Sequence, residues 1–400
     1  MRILVCASDL PFPPTNTGYR RQLQGLIPEL GKRNEVRLIG FQMPDQIAPA
    51  QVDPRIRIVP YHKPGIVGNA WDTATATLSG RPLRARRFAN ALRPTLRREL
   101  AEFQPDVVHV GPGKLAGLLD DLGGRPAVLG VMDTWHLNVI TRSEASSGLR
   151  RAVLHADVAR ISHWEATRYR GWDRVVPSNV DDLETMRALD PEIRMTLIPI
   201  GFDAGAYAPD PAASRDPNRL IFHGAMGYPP NVRAAEFLVR DILPLVQAEV
   251  PEAHLAIVGR DPSQRVAALA GLPGVEVTGG VEDMRAWLTG SAVWVGPFLD
   301  GTGIKTKLLE AMATDLPSVV TPIGGRGLTP SSGAFLVGAT ADEIAAHIVA
   351  LLRDPARAAA LGRAGGDYVR AGYDWPVVGA AFERLYQEVI DEKRGARAGA

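Results

Sequence analysis

The chain of 400 residues is 46% hydrophobic, and this length and composition predict two domains with sizeable cores. The 45 Lys and Arg are balanced by 44 Asp and Glu, and the net charge of +1 argues against a globally basic nucleic-acid binder. The single cysteine, Cys6, lies in an apolar run, so the sequence excludes a disulfide framework and a cysteine-based metal cluster. A reducing, cytoplasmic environment fits this cysteine usage.

The N-terminal sequence MRILVCASDLPFPP predicts a buried strand and a proline-rich loop. A signal peptide is not expected, because the apolar run is short and no basic region precedes it. No uninterrupted apolar run approaches the roughly 20 residues that a membrane-spanning helix needs. We therefore expect a cytoplasmic protein, and the richness in Ala, Arg, Gly and Pro favours a bacterial source.

The first half of the chain predicts alternating strands and helices. A strand over residues 3–7 leads through a loop and Gly18 into a helix over residues 19–30. Arg20, at the start of that helix, could bind an anionic acceptor or simply be solvated. Further strands are predicted over residues 36–41, 56–59, 105–110, 127–131 and 174–177.

An arginine-rich stretch over residues 81–103, RPLRARRFANALRPTLRRELAEF, predicts a helical region that is interrupted at Pro94. Its arginines outnumber its acidic residues, so the stretch could rest on an anionic membrane or bind a phosphorylated acceptor. A solvated helix face is the alternative interpretation.

Polar side chains follow two strands of the first half. His109 lies at the carboxyl end of the strand over residues 105–110, and Asp133 and His136 follow the strand over residues 127–131. Ligands of open α/β sheets bind at the carboxyl ends of the strands. His109 is therefore a candidate site residue or, equally, a packed structural histidine. His136 is able to take or shuttle a proton near neutral pH.

The second half repeats the alternation, which together with the first half predicts two doubly wound parallel sheets. A helix begins near Pro230 and Asn231, where proline suits the first helical turn. Later helices are predicted over residues 341–352, 355–371 and 377–392. The strands are predicted over residues 219–222, 255–259, 275–279, 292–295 and 318–321.

The most informative stretch is GPFLDGTGIKTKLLEAMATDLPSVVTPIGGRGL, from position 296 to position 328. Gly301 and Gly303 allow a sharp turn and a close approach of the backbone to a ligand. The following helix is predicted to begin near Ile304, where free N–H groups and the helix dipole favour a phosphate. Lys305 and Lys307 place positive charge at this same end, which indicates an anion nearby. Glu310 lies further along the helix and could accept hydrogen bonds from sugar hydroxyls.

The segment GTGIKTKLLEAMATDLPSVVT resembles the donor-binding segment of retaining glycosyltransferase family 4, in its glycine-rich bacterial subset. The resemblance implies an α/β protein of GT-B architecture, with two doubly wound Rossmann-like domains that face each other across a cleft. It also implies that Glu310 binds the nucleotide ribose, whereas the family's first glutamate would fall on Thr302. The implied domains are residues 1–200 for the acceptor and 201–373 for the donor. A helix over residues 374–392 packs back on the first domain, and residues 393–400 form a frayed tail.

The resemblance also assigns roles in both domains. It places Asp133 under the transferred sugar, with His136 as the neighbouring alternative, and a second aspartate of the usual motif would fall on Gly130. It gives Lys307 and Lys305 the stabilisation of the leaving diphosphate. For the acceptor the candidates are His109, Arg20 and Glu165. For the donor they are Gly18, His223, Gly224, Asn231, Arg260, Val281, Gly301, Thr302, Gly303, Ile304 and Glu310.

The predicted function is therefore a retaining, metal-independent hexosyltransferase of a bacterial polysaccharide, envelope glycoconjugate or glycosylated-metabolite pathway. Its co-substrate is a nucleoside-diphosphate sugar, no separate cofactor is expected, and the acceptor is a sugar, a lipid-linked molecule or a small molecule. The alternatives are a nucleotide-sugar epimerase or hydrolase, and a non-catalytic nucleotide-sugar-binding subunit. A Rossmann oxidoreductase is disfavoured, because no G-x-G-x-x-G follows the first strand.

Overall fold

A computed structural model describes residues 1–12, 18–42, 56–62, 82, 85–144, 146–210, 212–301, 303–328 and 333–398. The chain divides into two compact units. Unit 1 comprises Met1–Gly201 and Trp375–Ala400, and unit 2 comprises Phe202–Asp374. Each unit is built around a six-stranded sheet in which every pair of neighbouring strands is parallel.

The sheet of unit 1 has the strand order β3-β2-β1-β4-β5-β6. Its central strands are continuous apolar runs, because helices cover both faces of a parallel sheet. The strands are β1 (Arg2–Ala7), β2 (Glu35–Gln42), β3 (Ile56–His62), β4 (Val107–Gly111), β5 (Ala127–Val131) and β6 (Arg174–Pro177). The helices are α1 (Gly18–Gly31), α2 (Ala85–Glu102), α3 (Trp135–Glu144), α4 (Gly148–Tyr169) and α5 (Val180–Leu189).

The sheet of unit 2 has the order β12-β11-β10-β7-β8-β9, which is the same winding as in unit 1 when read from its other edge. Its strands are β7 (Arg219–His223), β8 (His254–Val258), β9 (Val275–Gly279), β10 (Val293–Gly296), β11 (Ser318–Val320) and β12 (Leu336–Val337). Its helices are α6 (Pro229–Phe237), α7 (Leu243–Glu249), α8 (Gln264–Ala267), α9 (Met284–Thr289), α10 (Thr306–Ala313), α11 (Ala341–Arg353) and α12 (Pro355–Gly372).

The last helix, α13 (Trp375–Ala398), belongs to unit 1. Its apolar face, including Phe382 and Tyr386, shares a buried cluster with β1 and α1. The contact is close at Gly25 of α1, where a Cβ atom would lie 1.9 Å from the Trp375 ring. The chain therefore leaves unit 1 once and returns to it for its final helix.

Some predicted elements differ from the structure. Helix α2 runs unbroken through Pro94, so the predicted interruption is wrong. The apolar face of α2, which includes Leu92, Leu96 and Leu100, is buried in the core, and this packing outweighs the hydrogen bond that proline forgoes. Helix α10 begins at Thr306 rather than near Ile304. In the described ranges, no helix combines the length and apolarity that crossing a bilayer requires.

Candidate active site

A cluster of polar side chains in unit 2 lies at the carboxyl ends of β7 and β10. These strands are adjacent where the strand order reverses, which is the usual ligand site of a doubly wound sheet. The loop after β7 supplies Gly224, and α10 supplies Lys307 and Glu310. Sequence-predicted residues from two distant segments therefore meet at one edge of the sheet.

Two glycines allow the loops after β7 and β8 to approach each other closely at this edge of the sheet. Gly224 has φ +156°, and a Cβ atom on it would lie 2.3 Å from Cε of Lys307. Gly259 has φ +153°, and a Cβ atom on it would lie 1.7 Å from the carbonyl oxygen of Gly224. The loops after β7 and β8 are thus in backbone contact, and the Lys307 side chain runs against the bare turn at Gly224.

Asn231 stabilises the loop after β7. Its side chain is buried, and Nδ2 donates a hydrogen bond of 2.8 Å to the carbonyl oxygen of Ala225. A Cβ atom on Gly224 would lie 2.8 Å from the same nitrogen. Asn231 therefore braces this loop, and its contact with the donor stays a prediction.

The glycine loop before α10 has the backbone that its sequence predicts. Gly301 has φ +111° and Gly303 has φ +69°, values that side chains disfavour. Ile304 is half-buried, and Lys305 takes the N-cap position without a side-chain cap. Thr302 lies outside the described residues.

Lys305 lies in a strongly positive environment. Its Nζ donates a hydrogen bond of 3.1 Å to the carbonyl oxygen of Gly303. Desolvation and then the nearby charges of Arg326 and Lys307 together lower the pKa of Lys305 to about 8, and Asp300 partly offsets them. Arg326 follows β11 in the sequence GGRGL, and our sequence analysis missed it. The sequence signal for Arg326 was a cationic residue that follows two glycines soon after a predicted strand.

Glu310 is held by a chain of side chains that also contains residues from the sheet. Nε2 of His223 lies 2.8 Å from Oε2 of Glu310, and Nε1 of Trp294 donates a hydrogen bond of 2.9 Å to Nδ1 of His223. His223 is 2% exposed. The structure therefore places His223 against Glu310, and its contact with the donor stays a prediction. Trp294 is a residue that sequence reasoning missed.

The two remaining donor candidates of unit 2 follow β8 and β9. The carbonyl oxygen of Arg260 accepts a hydrogen bond of 2.9 Å from the N–H of Met226, which ties the loops after β7 and β8. The Arg260 guanidinium is exposed, with Nε 3.8 Å from Asp261, so the structure favours a surface ion pair for this side chain. Val281 is half-buried in the loop after β9.

Unit 1 contains a pocket of about 230 Å³ at the carboxyl ends of β4 and β5. Asp133 lies on its wall, where desolvation and then the charge of Asp182 raise the carboxyl pKa, although a hydrogen bond with Asn138 opposes them. Lys114 is a second charged group of the pocket that sequence reasoning missed. The pocket is lined by Gly18, Tyr19, Pro112, Gly113, Lys114, Met132, Asp133, Trp135 and Asn138.

His109 is a packed histidine. Nδ1 lies 2.6 Å from the Tyr386 hydroxyl, and burial lowers the pKa to about 4, so the ring is neutral at physiological pH. Nε2 would lie 2.7 Å from a Cβ atom on Gly130. These contacts favour the packed structural histidine, and an acceptor role for His109 stays a prediction. The ring also explains why a glycine stands where the related motif has an aspartate.

Glu165 is fully buried, and an acceptor role for it stays a prediction. Its carboxylate accepts hydrogen bonds from the backbone N–H groups of Trp135 and His136, from Nδ1 of His136 at 2.6 Å, and from the Tyr169 hydroxyl at 3.2 Å. Glu165 thus caps the N-terminus of α3 and fixes the His136 ring. Asp133, rather than His136, lines the pocket.

The Arg20 side chain makes a hydrogen bond within unit 1. Nε donates a hydrogen bond of 3.1 Å to the carbonyl oxygen of Leu10, so the side chain joins α1 to the loop after β1. This contact is a structural role for Arg20, and binding of an acceptor stays a prediction.

Comparisons with known proteins agree on one class. Residues 217–354 match the family "Glycosyl transferases group 1". A GDP-mannose-dependent alpha-(1-6)-phosphatidylinositol monomannoside mannosyltransferase of Mycolicibacterium smegmatis is 27% identical over 331 residues, which cover 76% of this chain and 80% of that protein. A protein of the same description from Mycobacterium tuberculosis is 28% identical over 217 residues, or 48% of this chain and 56% of that protein.

Solved structures share the fold at low sequence identity. Sucrose-phosphate synthase from Thermosynechococcus elongatus superposes with a TM-score of 0.68 at 16% identity, covering 98% of this chain and 100% of that one. Anabaena HepE, solved in complex with UDP, gives a TM-score of 0.63 at 12% identity, covering 97% and 100%. The two doubly wound sheets therefore match the GT-B architecture that the sequence predicts.

Proposed function

We propose that this glycosyltransferase of GT-B architecture moves a hexose from a nucleoside-diphosphate sugar to a hydroxyl acceptor, with retention of configuration and without a metal ion. The observation that carries the proposal is the gathering of Lys305, Lys307 and Arg326 around a glycine loop, close to the carboxylate of Glu310.

The cations and α10 supply the diphosphate site. The helix offers N–H groups at its N-terminus, and the three side chains offer the charge that a metal ion supplies elsewhere. Lys307 runs along Gly224, so its ammonium group reaches the strand-end edge where the diphosphate is expected. Negative charge on the diphosphate grows as the sugar bond breaks, so this cluster favours the transition state over the bound donor.

Glu310 supplies the ribose site. A carboxylate has about four lone-pair positions on two oxygens, so it can accept from both hydroxyls of a ribose while it keeps its contact with His223. Glu310→Ala should weaken ribonucleotide binding by roughly 1–3 kcal/mol and hardly affect 2′,3′-dideoxy analogues.

The acceptor hydroxyl belongs in the pocket of unit 1. Asp133 would hold a hydroxyl of the donor sugar or stabilise positive charge on that sugar, and Lys114 would bind an anionic group of the acceptor. The bond from C1 of the sugar to the diphosphate oxygen breaks, and a bond from C1 to the acceptor oxygen forms on the same face. The acceptor proton passes to an oxygen of the departing diphosphate, so no enzyme nucleophile is required.

The first donor to test is GDP-mannose, because the mannosyltransferase relatives are named for it. The purified chain should release GDP from GDP-mannose when a mannoside or a phosphoinositol-containing acceptor is present, and EDTA should leave the rate unchanged. Nuclear magnetic resonance of the product should show the anomeric configuration of the donor. An inverted product would refute retention, and loss of turnover in EDTA would refute metal independence.

The same assay separates the alternatives. Release of GDP that is independent of any acceptor would favour a hydrolase, and a changed sugar on intact donor would favour an epimerase. Tight donor binding with no chemistry across an acceptor panel would favour a non-catalytic subunit.

A cytoplasmic location, with contact to the inner membrane through residues 81–103, is part of the proposal. Within the described part of this stretch, Arg93 and Arg97 form ion pairs with Asp121, so the contact would depend on the other arginines. Sedimentation with vesicles of phosphatidylglycerol tests it, and recovery of all protein in the supernatant would refute it.

A further inference from the structure

Three side chains from three elements of unit 2 form a continuous hydrogen-bonded chain. Trp294 of β10 is opposite Ile221 of β7 in the parallel ladder, and His223 lies two residues further along β7. Side chains two residues apart on a strand share a face of the sheet, so Trp294 and His223 point to the same side. Glu310 reaches the imidazole from α10.

The donor and acceptor chemistry of the chain is unambiguous. An indole N–H only donates, so Nδ1 of His223, 2.9 Å from Trp294 Nε1, carries a lone pair. The proton of the neutral imidazole is then on Nε2, which faces a carboxylate oxygen of Glu310 at 2.8 Å. Every contact therefore has one donor and one acceptor, and Trp294 sets the tautomer that Glu310 needs.

The chain is also rigid. Trp294 is fully buried, and His223 is 2% exposed. The indole fits because residue 296 is glycine: a Cβ atom there would lie 2.4 Å from the Trp294 ring. A packed ring that donates a fixed hydrogen bond removes rotational freedom from the terminal carboxylate of Glu310. Groups that recognise a ligand need such support to hold their geometry to within about 0.5 Å.

We infer that His223, with its tautomer set by Trp294, is a positioning residue that aims Glu310 at the ribose and so determines selectivity for ribonucleotides. The inference rests on the proposed ribose contact of Glu310. His223 does not contact the ligand in this scheme. It acts only through the orientation of the carboxylate.

The test uses the full chain and four variants. His223→Leu removes both hydrogen bonds, His223→Gln restores a donor near the position of Nε2, and Trp294→Phe keeps an aromatic ring without its N–H. Glu310→Ala reports on the ribose contact itself. Calorimetry gives the dissociation constants for GDP or UDP, whichever the unchanged protein binds more tightly, and for its 2′,3′-dideoxy analogue.

We expect His223→Leu to weaken ribonucleotide binding about tenfold, the scale of a displaced charged hydrogen bond, and to change dideoxynucleotide binding less than about twofold. His223→Gln should recover most of the loss. Equal weakening of both ligands by His223→Leu, or a His223→Gln variant no better than His223→Leu, would overturn the inference. If Glu310→Ala leaves the ratio of the two constants unchanged, the ribose contact itself fails.

The tautomer of His223 can be measured directly, and this measurement tests the inference even if His223→Leu does not fold. Spectra of protein labelled with ¹⁵N in histidine should show one ring with its proton on Nε2 and a lone pair on Nδ1, and this signal should vanish in His223→Gln. In Trp294→Phe the Nδ1 resonance should move, because its donor is gone. An unchanged Nδ1 resonance in Trp294→Phe would overturn the role of Trp294.

Discussion

The two units wind their sheets in the same order but use the carboxyl ends of their strands differently. In unit 1 two of the polar candidates are buried, since Glu165 is fully buried and His109 is 2% exposed, while Asp133 and Lys114 line a pocket. In unit 2 the corresponding edge gathers Lys305, Lys307 and Arg326 around bare glycine turns. The same topology therefore accommodates a buried brace in one unit and a cluster of cations in the other, and the loops account for the difference.

The comparison shows that the role of a charged residue near a strand end depends on the groups that surround it in the folded unit. Glu165 has four protein donors, which satisfy its carboxylate completely. In unit 2 the charges of Arg326 and Lys307 instead lower the pKa of Lys305, and a bound anion would favour the charged form of this lysine. Four predictions test this contrast between a buried brace and a cluster of like charges.

The largest expected effect is on the stability of unit 1. Glu165→Ala leaves buried donors on Trp135, His136 and Tyr169 without an acceptor, which should lower the free energy of unfolding by about 3 kcal/mol. Urea denaturation measures this free energy, and Glu144→Ala, at an exposed position of α3, is the control. A loss below about 1 kcal/mol would mean that water or another group satisfies these donors.

Lys307 should matter for turnover and not for stability. Lys307→Ala should lower kcat about 10²-fold, because the ammonium stabilises charge that grows on the leaving diphosphate. Lys307→Met, which keeps the length of the side chain, should be nearly as slow. Lys32→Ala, in the turn after α1, is the control. Normal turnover in both Lys307 variants would place the ammonium in solvent and remove it from the mechanism.

The backbone contact between the loops after β7 and β8 should tolerate no side chain. Gly259→Ala introduces a clash with the Gly224 carbonyl at a φ that side chains avoid, so we expect a loss of about 1–3 kcal/mol in stability. Nucleotide affinity should fall with it. Gly271→Ala, which meets nothing within 4 Å, is the matched control. Equal stability of the two variants would show that the loops separate easily.

The smallest expected effect is the pH dependence of the affinity for GDP. Lys305 has a lowered pKa of about 8, and a bound diphosphate should raise that pKa. Binding above pH 8 then requires uptake of a proton, so the affinity for GDP should fall about fivefold to tenfold between pH 7 and pH 9. Lys305→Arg, whose guanidinium stays charged, should flatten the profile, while Lys307→Arg should retain it. A flat profile in the unchanged protein would contradict the prediction.

Local patterns predicted most of the fold and the core of the candidate site. The alternation of apolar strands and helices depends on neighbouring residues, and the glycines at 301 and 303 have the positive φ values that their loop requires. Lysine is also an informative choice in this chain. Only six of the 45 basic residues are lysine, and three of those six lie in segments that follow a strand at the two candidate sites: Lys114, Lys305 and Lys307.

The misses share one physical cause, since they depend on contacts between residues distant in the chain. The role of Glu165 depends on α3 meeting α4, and the burial of His109 depends on Tyr386, which lies 277 residues away. The pairing of Trp294 with His223 depends on the register between β10 and β7. Periodicity and spacing carry no information about such contacts.

The return of α13 to unit 1 has a consequence for synthesis of the protein. Unit 2 is a single continuous segment, whereas the buried cluster of unit 1 lacks Val378, Phe382 and Tyr386 until residues near the C-terminus are made. On the ribosome, the segment translated first therefore completes its core last. The nascent first half leaves the α1 side of its sheet exposed while unit 2 emerges, and this is the interval in which a chaperone would be most useful to it.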